Sequence, residues 1–312
     1  MAKPTIGLMS PGDMGHTIGG VFVGKGHRVV TVLSGRSDLS KARAERAGME
    51  DVADLNALVA ESDFIFSIMP PEKADAFAGE VATAMKESGE KAVYVDCNAI
   101  SPDTTLSIAA KMADAGATMV NVGIIGPPPG KLPVSRNAES SPPKTKFYAS
   151  GPDVDLIRFV DGDGIKFMPM GDDITKASAI KMCYAALTKG MMTLHTSVLV
   201  TAELLGISEE IQSEIENSQK FHWEGMNKRV SMYACDAGRW AGEMDQISDT
   251  FGSAGMTPNL HKGAADVFRV LDASPLGAET RETHDKSRSM QSSIEIYAKT
   301  ARELKDSKKA AE

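Results

Sequence analysis

A stretch near the start of the chain, Thr5 to Gly15, reads T-I-G-L-M-S-P-G-D-M-G. A short apolar strand, Thr5 to Met9, runs into a turn that contains glycine, and an amphipathic helix with Ile18 and Phe22 on its apolar side follows. Backbone N–H groups at the start of a helix point at an anion, and the helix dipole favours negative charge there. The stretch therefore predicts either a dinucleotide-binding turn or an ordinary strand–turn–helix unit without a ligand.

Two positions of this turn match the glycines that a dinucleotide site uses. Gly12 would let the backbone approach a pyrophosphate, and Gly15 would let the helix pack close on the strand. The first glycine of the pattern is absent, because Ser10 stands there; a serine can still turn the chain and donate a hydrogen bond. The residues expected to contact a dinucleotide are consecutive: Ser10, Pro11, Gly12, Asp13 and Met14.

Composition narrows the class of protein. The chain has 312 residues, 42% of them hydrophobic, so it predicts a folded globular protein of one large or two ordinary domains. A net charge of −8 argues against broad nucleic-acid binding, which needs a basic face. The sequence has no apolar run of about 18 residues, so neither a membrane span nor a signal peptide is expected. Three widely spaced cysteines, Cys97, Cys183 and Cys235, predict buried free thiols in a cytoplasmic protein.

The first half of the chain alternates strands and helices. Such alternation predicts an α/β fold with a parallel, doubly wound Rossmann sheet. The expected strands after the first are His27–Leu33, Phe64–Met69, Ala92–Val95, Thr118–Val122 and Lys146–Ala149. Between the last two, Gly126 to Lys144 holds six prolines and predicts a long irregular loop, either a binding loop or a plain surface excursion.

The second half shows only helical patterns. Apolar residues recur in steps of three and four from Ala177 to Val198, which predicts one long helix from about Ile174 to Leu205. The further expected helices are Glu209–Lys228, Met232–Phe251, Asn259–Val270 and Ser287–Leu304, followed by a frayed charged tail. We therefore expect a nucleotide-binding domain over residues 1–172 and an all-helical domain over residues 173–312.

The residues after the second strand indicate which dinucleotide is bound. An acidic residue at that strand's end favours NAD, but this chain has L-S-G-R-S there and no carboxylate before Asp38. Arg36 can clamp a 2′-phosphate, and Ser34 or Ser37 can donate to it. The pattern favours NADP over NAD, unless Arg36 is only a solvated residue in a turn.

Other candidate sites are weak. The six histidines show no H-x-x-x-H spacing, so no metal site is expected. His195, on the long helix, is expected to pack rather than to react. Lys189 is expected at a surface or between domains, and Glu243 on a solvated helix face.

The strand–Gly-x-x-Gly turn, the segment D-C-N-A-I-S-P from Asp96 to Pro102, and a lysine on a long helix after the sheet occur together in one known group. The chain resembles the β-hydroxyacid dehydrogenase superfamily, which includes 3-hydroxyisobutyrate and 6-phosphogluconate dehydrogenases. It looks most similar to a 6-phosphogluconate-dehydrogenase-like branch with a distinctive C-terminal helical domain. The resemblance implies a helical domain that closes the substrate cleft and assembly as a homodimer or larger homo-oligomer through that domain.

The resemblance also assigns roles to individual residues. Met69 and Pro70 match the segment beside the nicotinamide ribose, and Asn98 lies where the family has a Ser-Thr pair. Lys181 matches the family's catalytic lysine, and Tyr184 stands where the first of two asparagines belongs. The segment that matches the family's substrate loop contains Gly123, Ile124 and Ile125.

These matches predict an NADP-dependent oxidoreductase that moves a hydride between the cofactor and a hydroxy or carbonyl substrate, with Lys181 as general acid and base. Asn98 would bind substrate or cofactor, and Tyr184 would orient substrate, share the proton work or simply pack in the core. Ile124 and Ile125 replace polar family residues, which favours a more apolar substrate. An imine reductase or reductive aminase, and a nucleotide-binding protein without activity, remain alternatives.

Overall fold

The computed structural model describes residues 3–129 and 145–311. The chain divides into two compact units, Met1–Met182 and Cys183–Glu312. None of the helices in the described ranges is both long enough and apolar enough to cross a membrane.

The first unit is built on one sheet. Its strands in the described residues are β1 (Ile6–Met9), β2 (Val29–Thr31), β3 (Glu50–Asp51), β4 (Phe64–Ser67), β5 (Val93–Asp96), β6 (Met119–Ile125), β7 (Thr145–Ser150) and β8 (Ile165–Pro169). Their order is β3-β2-β1-β4-β5-β6-β7-β8, and every neighbouring pair is parallel except β6 and β7. The order reverses between β1 and β4, which confirms the doubly wound prediction and marks the switch point where such sheets bind ligands.

Helices connect these strands. They are α1 (Asp13–Gly24), α2 (Asp38–Ala47), α3 (Leu55–Glu61), α4 (Pro71–Ser88) and α5 (Pro102–Asp114), with a 3-10 helix at Val154–Val160. Local sequence sets their ends: Ser37 accepts a hydrogen bond from Ser40 N at the start of α2, and Gly48, with φ 70°, closes that helix. Two buried apolar clusters, one around Phe66 and one around Tyr94, hold the helices on the sheet.

Several predicted boundaries in the first unit are wrong. β2 is shorter than predicted, and β6 continues beyond Val122 to Ile125. β3, β8 and α4 were not predicted. β3 has two exposed residues and no apolar pattern, whereas α4 starts at Pro71, a residue that the sequence pattern treated only as the end of a strand. The antiparallel pairing of β6 with β7 also departs from the parallel prediction.

Helices and turns make up the described residues of the second unit, which include no strand, as predicted. α6 (Lys176–Leu205) begins in the first unit and continues into the second; Gly206, with φ 73°, follows it. The others are α7 (Ser208–Ser218), α8 (Lys220–Arg229), α9 (Ala234–Ser253), α10 (Asn259–Asp272) and α11 (Met290–Ala311), with 3-10 helices at Val230–Met232 and Pro275–Ala278.

The second unit differs from its prediction in one helix and at its C-terminal end. The single helix predicted over Glu209–Lys228 is two helices, because the backbone leaves the helical region at Gln219 (φ −130°, ψ 47°). α11 continues to Ala311, through the tail from Lys305 that was predicted to fray. Most of the proline-rich loop expected over Gly126–Lys144 lies outside the described residues.

Candidate active site at the carboxyl edge of the sheet

Three neighbouring parallel strands end side by side at the switch point. Met9 of β1 is in register with Ser67 of β4, which is in register with Asp96 of β5. Because the carboxyl ends of parallel strands meet at one edge, the segments that follow them share that edge. The turn from Ser10, the segment from Ile68 to Pro70 and the segment from Cys97 therefore form the first part of the candidate site.

The β1–α1 turn leaves open space before a helix N-terminus. Gly12 is the N-cap of α1 and makes no side-chain cap, and a Cβ built on it would meet no described atom within 4 Å. Gly15 is required by packing, since its Cβ would lie 2.0 Å from the Ser10 carbonyl oxygen. Asp13 places a carboxylate in the first turn, and Arg43 Nη2 lies 3.8 Å from its Oδ1, which offsets its charge. The open N-terminus fits a pyrophosphate.

One of the expected 2′-phosphate contacts, Arg36, lies at a cleft of about 340 Å³. Arg36 and Met69 both line this cleft. Ser34 is exposed in the turn, and Ser37 uses its Oγ to cap α2. The sequence reasoning missed Lys73, an exposed residue of α4 that lines the same cleft. The cleft's other lining residues are apolar or acidic: Met9, Val32, Leu55, Glu72, Ala76, Phe77 and Glu80.

A further carboxylate near this cleft was missed as well. Asp51, at the end of the short strand β3, accepts a hydrogen bond from the Leu33 backbone N–H at 2.9 Å. It therefore lies beside the end of β2, where the sequence alone shows no acidic residue before Asp38. Because Asp51 is far away in sequence, only the pairing of β3 with β2 reveals it.

Asn98 is buried and its side chain is committed to the protein. It is 3% exposed; its Nδ2 donates to Ser67 Oγ at 3.0 Å and to Asp96 Oδ2 at 2.9 Å, and its Oδ1 accepts from the Met69 N–H at 2.6 Å. Its backbone N–H donates to Asp96 Oδ1 at 2.9 Å. These bonds tie the end of β4 to the end of β5. Asn98 therefore holds these two segments in position, and its buried amide is not exposed to a ligand.

Asp96 is the carboxylate at the centre of this cluster. It is fully buried, and burial raises the pKa of its carboxyl to about 6, while the two hydrogen bonds from Asn98 oppose part of that shift. No cation appears among the hydrogen-bond or ion-pair partners that the described residues offer it.

Polar side chains anchor the start of α6 on the sheet. Asn121 of β6 donates through Nδ2 to the Ile174 carbonyl and to Ser178 Oγ, both at 2.8 Å. Ser150 Oγ of β7 donates to the same Ile174 carbonyl and accepts from the Ala177 N–H, both at 3.0 Å. These contacts fix both the position and the rotation of the first turns of α6.

The anchored helix brings Lys181 to the end of β6. Lys181 Nζ donates to the Ile124 carbonyl at 2.6 Å, and the side chain is part-buried. Gly123 allows this approach, because a Cβ there would lie 2.3 Å from the Ala177 carbonyl oxygen and 3.1 Å from Lys181 Cβ. Ile125, 9% exposed, ends the strand. The structure therefore joins Gly123, Ile124 and Lys181 in one place.

Three further residues singled out in the sequence, Tyr184, Glu243 and His195, lie in the second unit. Tyr184 lies in the second unit, three residues beyond Lys181 on the same helix, and is 49% exposed, so it is not a core residue there. Glu243 is not on a solvated face: it is 2% exposed, and Lys189, itself 8% exposed, donates to it at 2.5 Å. His195 packs as predicted, with its Nε2 3.1 Å from His222 Nδ1.

The cysteine prediction is partly wrong. All three cysteines are free, but Cys97 alone is buried, Cys183 is exposed and Cys235 is half-buried.

Family models match both units. Residues 5–132 match the family described as the NAD binding domain of 6-phosphogluconate dehydrogenase. Residues 202–271 match a family described as a domain of unknown function, DUF1932. The first match covers the turn, the cleft and the strand ends described above, and the two together confirm the resemblance inferred from the sequence.

Individual proteins agree with this assignment. An uncharacterized 28.5 kDa protein of Methanothermus fervidus is 26% identical over 270 residues, which cover 86% of this chain and 98% of that protein. A 3-hydroxyisobutyrate dehydrogenase from Salmonella typhimurium has 15% identity and a TM-score of 0.64, over 94% of this chain and 100% of that one. An imine reductase from Myxococcus stipitatus, in complex with NADP+, has 16% identity and a TM-score of 0.52, over 86% and 93% of the two chains. A variant of that reductase, in complex with NAD+, scores 0.51 at 15% identity over 90% and 97%. These structural likenesses establish a shared fold.

Proposed function

We propose that this chain, whose residues 5–132 match the NAD binding domain of 6-phosphogluconate dehydrogenase, is an NADP-dependent oxidoreductase that acts on a hydroxy or carbonyl substrate. The observation that carries the proposal is the position of Lys181, an amine held at the carboxyl edge of a dinucleotide-binding sheet by the Ile124 carbonyl. Fold likeness alone does not specify a reaction, whereas this amine and the open β1–α1 turn provide a proton carrier and a place for the dinucleotide.

Lys181 is proposed as general acid and base. A bound nicotinamide supplies or accepts the hydride at the substrate carbon. In oxidation, the neutral amine takes the proton of the substrate hydroxyl while the carbon loses its hydride, so a carbonyl and an ammonium result. In reduction, the ammonium returns that proton to the developing alkoxide. The Ile124 carbonyl keeps Nζ at the strand end in both directions.

The remaining groups of the edge are proposed to prepare the site. Asn98 connects Asp96 to the Met69 N–H and so holds the two segments that border the nicotinamide ribose in the family. The apolar side chains Ile124 and Ile125 favour an apolar or larger substrate over a small hydroxy acid. Tyr184, one turn beyond Lys181 on α6, is proposed to orient that substrate.

NADP is favoured over NAD because two cations, Arg36 and Lys73, line the cleft at the end of β2. A 2′-phosphate gains charge-assisted hydrogen bonds from both. Glu72 and Glu80 line the same cleft and reduce this preference, and Asp51 already accepts from Leu33 N. Structures of this fold are known in complex with NADP+ and with NAD+, so the fold does not determine which dinucleotide binds. We infer the preference from the residues that line the cleft.

An imine substrate is the second candidate. Imine reductases share this fold, and the committed side chain of Asn98 leaves fewer polar groups for a substrate carboxylate or hydroxyl. Amine-dependent oxidation of NADPH in the presence of a ketone separates this candidate from a simple carbonyl reductase. Tight NADPH binding without turnover on any carbonyl or imine would indicate a nucleotide-binding protein without activity.

We also propose a homodimer through the helical unit. Three leucines on α6 and α10, Leu187, Leu194 and Leu260, are between 55% and 70% exposed and border an apolar groove of about 390 Å³. A second copy would cover them. Light scattering of the wild type and of Leu194→Asp tests this: a dimer that becomes a folded monomer supports it, and a wild-type monomer contradicts it.

The decisive test of the reaction is a carbonyl and imine panel with NADPH, run on the wild type, Lys181→Ala and Lys176→Ala. Lys176 is an exposed lysine at the start of the same helix and is the matched control. We expect turnover to fall by about 10²- to 10⁴-fold in Lys181→Ala and to stay unchanged in the control. Equal turnover in the wild type and Lys181→Ala would exclude the proposed role.

A further inference from the structure

A cluster of metal-ligand residues lies in the second unit and shares no residue with the proposed function. Cys235, in the first turn of α9, meets Glu279 and His284, and one ligand atom from each lies within 4.8 Å of the other two. Sulfur, nitrogen and carboxylate oxygen are the three donor types that Zn²⁺ uses in proteins. This cluster has no signature in the sequence, because its residues come from separate elements and show no H-x-x-x-H spacing.

The backbone between Glu279 and His284 is folded so that the two side chains meet. A turn links them: the His284 N–H donates to the Thr280 carbonyl at 2.8 Å, and the Thr280 N–H donates to Thr283 Oγ1 at 2.8 Å. As a result, His284 Nδ1 lies 3.3 Å from Glu279 Oε2. Two ligands on one tetrahedral zinc ion lie roughly 3.3–3.8 Å apart, given the usual bond lengths, so this pair already has a suitable separation.

The carboxylate also has the supporting contact that metal-binding carboxylates usually have. Arg288 donates through Nη1 to Glu279 Oε2 at 2.8 Å and through Nη2 to Oε1. Hydrogen bonds of this kind hold ligating carboxylates in place in known metal sites. Glu279 keeps 21% of its side chain exposed, whereas His284 keeps 5%, so a bound ion would retain a route to solvent for a fourth, water ligand.

The local charges on balance tolerate a cation. Burial first, then the carboxylates of Asp236 and Glu279, raise the pKa of the Cys235 thiol. The same two carboxylates attract a cation. The nearby guanidinium groups are both engaged: Arg281 Nη2 lies 2.6 Å from Asp236 Oδ2, and Arg288 binds Glu279.

We propose that Cys235, Glu279 and His284 bind one Zn²⁺ ion, which fixes the 279–284 turn to the start of α9. On binding, the Cys235 sulfur loses its proton to solvent and forms the metal–sulfur bond, and the imidazole binds in its neutral form. The site is structural in this account, so zinc raises the unfolding temperature of the second unit and is not needed for hydride transfer.

The test uses the full chain, freed of metal with a chelator, and titrates it with Zn²⁺ against a chromophoric competitor and with Co²⁺ as a spectroscopic probe. We expect one ion per chain and a thiolate-to-cobalt absorption band. Cys235→Ser should abolish the band and weaken zinc binding at least ~10-fold, as should His284→Gln, with far-UV circular dichroism to confirm folding. Cys183→Ser, at an exposed cysteine, should change nothing.

Three outcomes would overturn the proposal. The first is that fewer than one zinc ion binds per chain when protein and metal are equimolar. The second is an unchanged zinc affinity in folded Cys235→Ser. The third is a loss of zinc binding in His222→Gln while Cys235→Ser and His284→Gln still bind. The last result would place the metal at the His195–His222 pair, whose ring nitrogens lie 3.1 Å apart. The first result is expected if Glu279 keeps both oxygens on Arg288 and does not bind the metal.

Discussion

In the first unit a buried carboxylate, Asp96, is held by a neutral amide, Asn98, whereas in the second unit the buried Glu243 is held by two cations, Lys189 and Arg239. The first arrangement joins two strand ends at the edge where a ligand is expected. The second joins α6 to α9 and involves no strand. The difference suggests that the first unit uses buried polarity to position a site, and the second uses it to fix the packing of helices.

The largest effect should follow from breaking the ion pair of the second unit. Glu243→Ala leaves Lys189 buried without its anion, and such uncompensated charges cost about 3–5 kcal/mol. Both tryptophans, Trp223 and Trp240, lie in the second unit, so urea unfolding followed by tryptophan fluorescence reports on it. The matched control is Glu214→Ala, at an exposed site on α7. A loss below about 1 kcal/mol would show that the pair is not part of what holds the helices.

The second prediction concerns pH and the first unit. Asp96 has its folded pKa raised from 3.8 to about 6, so the folded state binds its proton more tightly than the unfolded state. Stability of the first unit should therefore fall as the pH rises from 4 to 6, by up to about 3 kcal/mol, and level off above that. Asp96→Asn should remove this slope. Calorimetry across that range checks it, with the tryptophan signal used to identify the transition of the second unit. A slope that survives in Asp96→Asn would assign the pH dependence to other groups.

A smaller effect is expected where α6 approaches β6. Gly123→Ala places a Cβ 2.3 Å from the Ala177 carbonyl, so the helix must shift, at a cost of about 1–3 kcal/mol. The shift moves Lys181 as well, so turnover should fall together with stability. Gly79→Ala is the control: it lies in α4 with nothing within 4 Å of the added carbon and should stabilise by about 0.5–1 kcal/mol. A Gly123→Ala enzyme with normal turnover would show that the close approach does not position Lys181.

The features of the first unit that the sequence predicts are those at the ends of its strands. Strand ends are visible in a sequence because buried strands are short apolar runs, so the turn at Gly12, the segment at Asp96 and the doubly wound order were all predicted. Lys73, Asp51 and the anchor formed by Asn121 and Ser150 were not, because their partners lie on other strands or helices.

Other predictions failed among the helices of the second unit. Helical periodicity gives the existence of a helix but not which face is covered, so Glu243 was assigned to solvent although it is buried. The break at Gln219 was missed because no glycine or proline marks it. The Cys235 cluster depends on the turn at 280–284 and has no sequence signature.

Dinucleotide binding by the first unit can be measured by a fluorescence titration of the purified protein with NADPH and with NADH. The wild type is compared with Arg36→Ala, Lys73→Ala and the control Arg46→Ala, an exposed arginine at the end of α2. We expect NADPH to bind more tightly than NADH, and each cleft variant to lose about 10- to 100-fold in NADPH affinity with little change for NADH or in the control. No binding of either dinucleotide by the folded wild type would contradict the account.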